Sequence, residues 1–210
     1  MKRSLNLILL LFVAVSAHAQ WTIGPKASFG VVTLRPTQIE IMPTTDYLTY
    51  DFEYMGNQSI RSLGFMAFNN IGPIYLQTEV LATQYDLEFS VFDYKSKEGP
   101  EYYTEKYYLI EIPVAAGVNI GKFKLGLGPV FEFNIDHESE LSSMESYIPI
   151  EKTVEYGFQW MAGYRYSIFH FDIRYVNKFN SVVESFRFGY DEFKFNKPAN
   201  RLTLSVGMAF

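Results

Sequence analysis

Residues 123–136 read FKLGLGPVFEFNID, and the fold turns on which side of that stretch meets water. Successive side chains of an extended strand point to opposite sides. Phe123, Leu125, Leu127, Pro129, Phe131, Phe133 and Ile135 therefore share one face. Lys124, Gly126, Gly128, Val130, Glu132, Asn134 and Asp136 share the other. The first face is hydrocarbon and aromatic rings, whereas the second collects glycines and charges. A soluble barrel would turn the rings inward and leave the charges solvated. A membrane barrel does the reverse, with lipid outside and polar side chains in a narrow lumen.

The same division recurs on both sides of this segment. Residues 108–119 set Tyr108, Ile110, Ile112, Val114, Ala116 and Val118 against Leu109, Glu111, Pro113, Ala115, Gly117 and Asn119. Residues 154–165 set Val154, Tyr156, Phe158, Trp160, Ala162 and Tyr164 against Glu155, Gly157, Gln159, Met161, Gly163 and Arg165. Phe171, Ile173 and Tyr175 stand opposite His170, Asp172 and Arg174. The closing RLTLSVGMAF (201–210) alternates in the same way and ends on Phe210. Residues 57–69 mix polar and apolar side chains in both registers, so their faces are left unassigned.

Period-two alternation predicts strands near 21–34, 57–69, 73–88, 104–119, 122–136, 152–166, 169–182 and 199–210. Three connections are tight: NNIGP (69–73), NIGK (119–122) and YSIFH (166–170), two of them with the Asn and Gly that hairpins favour. Four are long and polar: 35–56, 89–103, 137–151 and 183–198. Long and short connections alternate strictly. The expected fold is an all-β, eight-stranded antiparallel up-and-down transmembrane β-barrel, with short periplasmic turns, long extracellular loops and both termini periplasmic.

The beginning of the chain agrees with that compartment. Residues 1–19 carry Lys2 and Arg3, an apolar run from Leu5 to Val15 and the small-residue site Ala17-His18-Ala19, the pattern of a cleaved signal peptide. Residues 20–210 are then expected to form one domain. Losing Lys2 and Arg3 moves the formal charge from −5 to about −7, which disfavours nucleic acid as a partner. The chain has no cysteine, which excludes a disulfide framework, a thiol nucleophile and a lipidated N-terminal cysteine. No run after residue 20 approaches the roughly eighteen apolar residues of a spanning helix.

If the glycine-and-charge face is interior, its charges need partners, because an unpaired buried charge is very costly. The inward acids would be Glu79, Glu111, Glu132, Glu155 and Asp172. The inward bases would be Lys26, Lys124, Arg165, Arg174 and Arg201. Equal numbers predict an ion-pair network that plugs the lumen.

Chemistry beyond that is sparse. His137 lies in DHESE (136–140), an acidic stretch that hard cations could favour but that reads more simply as a solvated loop. His170 sits beside a turn near Asp172. No Gly-x-Ser-x-Gly, P-loop or His-Glu-x-x-His arrangement occurs. No catalytic, metal or cofactor residue is therefore assigned. The segment TQIEIMPTTDYLTYDFEYMGNQ (37–58) mixes tyrosines, Phe52 and Met55 with acids, a composition suited to a partner-binding loop.

Residues 107–133, YYLIEIPVAAGVNIGKFKLGLGPVFEF, resemble the PorT-like outer-membrane β-barrel proteins of the Bacteroidetes, of the small eight-stranded type. The matching pieces are Tyr108, Ile110, Glu111, Ile112 and Pro113, then Gly126, Gly128 and Pro129. The resemblance runs loosely from residue 20 to 210. It implies an outer-membrane barrel; founding members of that family are linked to protein secretion and gliding, and no active-site residue carries over.

The resulting expectation is a non-enzymatic outer-membrane barrel with a plugged polar interior and a structural, adhesive or secretion-accessory role through its loops. Its partners would be outer-membrane lipid and lipopolysaccharide, the insertion machinery reading the strand that ends at Phe210, and a protein at the extracellular loops. Two other classes fit less closely. A lipid-modifying outer-membrane enzyme would need a serine or carboxylate paired with His137 or His170. A secreted lipocalin-like barrel would hold an apolar ligand in its lumen.

Overall fold

Strong alternation and abundant Tyr and Phe favour a pleated, half-buried backbone, and strands dominate the structure. This computed structural model describes residues 21–33, 38–41, 50–54, 58–93, 99–143, 147–151, 154–179, 183–188, 191–194 and 200–210. The expected signal peptide lies outside them. The described strands are β1 (Thr22–Thr33), β2 (Gln38–Ile41), β3 (Tyr50–Tyr54), β4 (Gln58–Ile71), β5 (Ile74–Asp93), β6 (Glu101–Ile120) and β7 (Phe123–Ser139). After a 3₁₀ turn at Glu140–Ser143 come β8 (Tyr147–Glu151), β9 (Val154–Tyr166), β10 (Phe169–Lys178), β11 (Val183–Phe188), β12 (Asp191–Lys194) and β13 (Asn200–Met208).

Eight of these strands close into a ring of antiparallel neighbours, β1-β4-β5-β6-β7-β9-β10-β13 and back to β1. Closure pairs Lys26 with Gly207 and Val31 with Leu202, so the ring leaves no free edge. Three two-residue turns join β4 to β5, β6 to β7 and β9 to β10. Gly72 and Gly121 adopt φ of 62° and 63° at their first positions, and Ser167 adopts 55°. Pro73 cannot take a positive φ, so the Gly72–Pro73 turn follows the II′ pattern that matches strand twist. The start of β1 and the end of β13 lie at this same end of the ring, where Ile23 and Phe210 exchange backbone hydrogen bonds of 3.4 and 3.1 Å.

The long connections differ from expectation. Large parts of 35–56, 89–103, 137–151 and 183–198 are strand rather than loop. β5 and β6 each run for 20 residues, and β3 pairs along the last five residues of β5, from Tyr50↔Asp93 to Tyr54↔Phe89. β8, β11 and β12 form a separate three-stranded sheet. The physical reason is local: once a hairpin register is set, each further pair adds ladder bonds, and stretches such as EYYTEKYY (101–108) suit a strand.

Which face looks outward is settled by exposure. Leu63 is 67% exposed and Trp160 54%, whereas Lys26 is 1% exposed and Arg201 2%. Leu125, Leu127, Phe131, Phe171, Ile173 and Leu204 are likewise on the outer surface. From Phe123 to Phe133 a strand rises about 33 Å, and a tilt of about 40° reduces this to about 25 Å along the axis, the height of a barrel's apolar band. β4 resolves as well: Leu63 and Phe65 face out while Ile60, Ser62, Met66 and Phe68 are buried inside. Its mixed composition reflects a lumen that is apolar at its ends and polar only in the middle.

Candidate functional site, an ion-paired barrel interior

Strand alternation aims charged side chains of seven of the eight ring strands into the interior, where they are buried. Glycine makes part of the room. A Cβ on Gly163 would stand 2.3 Å from Lys124 Cε and 2.4 Å from Asp172 Oδ1, so only glycine fits there without displacing them.

Two tiers of ion pairs fill the middle. In the tier nearer the short turns, Lys26 Nζ donates to Glu79 Oε1 at 2.7 Å and to Asp172 Oδ2 at 2.6 Å. Lys124 Nζ lies 2.8 Å from Asp172 Oδ1 and donates to Gln77 Oε1 at 2.9 Å. Arg174 Nη2 donates to Glu79 Oε1 at 2.5 Å. In the farther tier, Arg201 Nη2 donates to Glu111 Oε1, and to Glu132 Oε1 at 2.5 Å. Lys178 Nζ bridges Glu132, at 2.9 Å, and Glu155. Thr83 Oγ1 donates to Glu111 Oε2 at 3.1 Å. Every charged side chain in these pairs is nearly or wholly removed from solvent.

Apolar and aromatic layers bracket the tiers. At the turn end Met66 and Phe68 pack with Ala209, and Tyr75 with Ala115 and Met161. His170 is buried there, its ring 4.6 Å from Phe68. At the other end Tyr85 stacks on Tyr107 at 5.0 Å and Tyr107 on His137 at 4.4 Å, with Leu87, Phe89, Val91 and Leu109 buried alongside. Tyr107 donates its hydroxyl to Glu105 Oε2 at 2.8 Å, and His137 Nε2 lies 3.7 Å from Glu105 Oε1.

Nine of the ten residues expected in the interior network lie in these tiers: Lys26, Glu79, Glu111, Lys124, Glu132, Glu155, Asp172, Arg174 and Arg201. Arg165 does not. It is in phase with the inward face but stands exposed at the end of β9, where the lumen opens beside the turn. Lys178 takes the cationic place that sequence reasoning gave to Arg165. It was legible in principle, because it continues the alternation His170, Asp172, Arg174, Val176 by one more step. His137 is a second correction: it sits in β7, pointing inward on Tyr107, rather than in a solvated loop. A register shift between Tyr108 and Leu109 against β7, with Ile135 unpaired, produces that orientation. Phe210 is 73% exposed at the turn-end rim. Among the described residues no group of three or more His, Asp and Glu side chains could hold a metal ion.

An antiparallel ring of eight strands, apolar outside and ion-paired within, is a transmembrane β-barrel. No protein-family model matches the chain, and neither does a curated protein. Among solved structures it resembles the translocator domain of the autotransporter NalP from Neisseria meningitidis at 11% identity, covering 100% of this chain and 96% of that one, with a TM-score of 0.29. It also resembles the outer membrane channel DcaP of Acinetobacter baumannii at 11% identity, covering 88% of this chain and 72% of that one, with a TM-score of 0.24. The assignment of the fold rests on strand order and exposure rather than on these likenesses.

Proposed function

We propose that the protein is a non-enzymatic barrel of the bacterial outer membrane whose lumen is sealed, and that it acts through the strands and loops projecting beyond the bilayer. The observation that carries this reading is the contrast between an exposed apolar belt and a lumen filled by paired charges and capped by aromatic layers. A conducting pore of this size would need a continuous polar path, and the tiers and caps interrupt one. The short-turn end, which also holds the start of β1 and Phe210, belongs in the periplasm on this reading, and the long hairpins face outside. The PorT-like pattern in 107–133 supports the same placement, as does Phe210 on the last strand as the mark read by the insertion machinery. Structural, adhesive or secretion-accessory duty follows, with lipopolysaccharide as the surrounding lipid and a protein partner at the long connections.

Fractionation of cells expressing the protein, followed by gel migration with and without boiling, tests the membrane placement. A heat-modifiable band in the outer-membrane fraction is expected. A soluble, heat-insensitive protein would instead support the lipocalin-like alternative. The purified barrel in planar bilayers is expected to give no steady conductance steps.

A further inference from the structure

The lipid-facing belt is not uniform. Between β6, β7, β9 and β10 it sinks into a groove of about 610 Å³, within the roughly 300–1,000 Å³ of small-molecule clefts. Two alanines make the depression. Cross-strand rows run Val118–Leu125–Ala162–Ile173 and Ala116–Leu127–Trp160–Tyr175, each with one methyl side chain among larger ones.

Three residues before Leu125, about 10 Å along the strand, lies Lys122 in the β6–β7 turn. Its Nζ stands 5.5 Å from the centroid of the Tyr166 ring, which is exposed on the outer face, and Lys122 also borders the mouth of the lumen beside Arg165 and His170, so its charge sits on the crest of the rim. Arg165 is exposed on the adjacent strand end, and its backbone N–H donates to Lys122 O at 2.8 Å. The rim segments 21–24, 69–75, 118–124, 163–170 and 207–210 contain no Asp or Glu. An apolar groove thus ends at a rim whose exposed charged side chains, Lys122 and Arg165, are both cationic.

We propose that this groove and rim bind an anionic glycerophospholipid of the periplasmic leaflet, with one acyl chain along the groove and the phosphate on Lys122, Arg165 adding charge beside it. Charge complementarity favours a lipid over a second copy of the chain. A copy would bring the same positive rim against itself, and two depressions related by a two-fold axis would enclose a void. The proposal rests on the membrane placement above.

Trp160 lines the groove and reports on it. With Trp21→Phe it becomes the sole tryptophan of the mature chain. The barrel is inserted into phosphatidylcholine vesicles carrying a small fraction of brominated phosphatidylglycerol or, separately, brominated phosphatidylcholine. Insertion is checked by heat-modifiable migration. Quenching of Trp160 is expected to report a preference of about fivefold for phosphatidylglycerol, the effect of roughly one basic residue near an anionic surface. Lys122→Gln with Arg165→Gln, both at exposed positions, should abolish the preference without preventing insertion. Equal quenching by the two lipids in inserted protein overturns the site and leaves the membrane reading standing, as does a preference that survives the double substitution. A cross-linked dimer with weak quenching by both lipids assigns the groove to a second copy and also overturns it. Failure to insert overturns both readings.

Discussion

Lys178 holds two carboxylates that would otherwise repel each other. Glu132 and Glu155 are direct cross-strand partners on β7 and β9, and the Lys178 ammonium lies between them. Like charges directly opposite destabilise a sheet, and removing one partner of a buried ion pair costs about 3–5 kcal/mol. Lys178→Met is therefore expected to lower the unfolding free energy in lipid vesicles by about that amount. Adding Glu155→Gln should recover part of the loss, and urea titration of the single and double variants measures the coupling. Arg165→Gln should stay within about 0.5 kcal/mol, because its side chain is exposed. Composition alone does not separate these two cations: both are in phase with the lumen, and only the depth at which each strand leaves the ring distinguishes them. Ser167 offers a test of the backbone. Its φ of 55° suits glycine, so Ser167→Gly should stabilise the turn by about 0.5–1 kcal/mol, after the added flexibility of the unfolded chain is subtracted. An unchanged or lowered urea midpoint would count against strain at that turn.

At the scale of a strand, the outward and inward sets of β7 make opposite demands on one substitution. Leu127 is four residues from the start of β7, near the middle of the apolar band, and it is exposed to the belt. Leu127→Arg should cost about 2–4 kcal/mol, whereas Phe123→Arg, at the rim, should cost about 0–1 kcal/mol. Refolding yields and urea midpoints in vesicles check the difference, and equal effects would contradict the assigned belt. The faces of β6, β7, β9 and β10 were legible because a strict period of two leaves few alternatives. The faces of β4 were not, because Ile60, Met66 and Phe68 belong to the apolar ends of the lumen and mimic an outward set. The shift opposite Tyr108 was also hidden, since one unpaired residue at Ile135 leaves no compositional trace. Strand pairs that continue beyond the bilayer, as in β5 with β6, looked like loops because their charges suited solvent.

Taken as a whole, the barrel on the proposed sealed-lumen reading is closed several times over along its axis. From the turn end, Met66 and Phe68 come first, then the tier of Lys26, Glu79, Asp172, Lys124 and Arg174, then that of Glu111, Glu132, Glu155, Lys178 and Arg201, then Tyr85 and Tyr107. Layers in series have a simple consequence: any one that stays intact stops ions. Opening a single tier should therefore weaken the fold without making a pore. Glu79→Ala with Arg174→Ala removes one acid and one base from the first tier, and Glu132→Ala with Arg201→Ala does the same in the second. Each double variant keeps the tier's charge balance and loses packed volume, with an expected cost of about 2–5 kcal/mol. In planar bilayers each should remain silent, because the untouched tier and both aromatic ends still fill the lumen. Steady conductance steps from either variant, in protein that still migrates as a folded barrel, would place the seal in one tier alone and refute closure by independent layers.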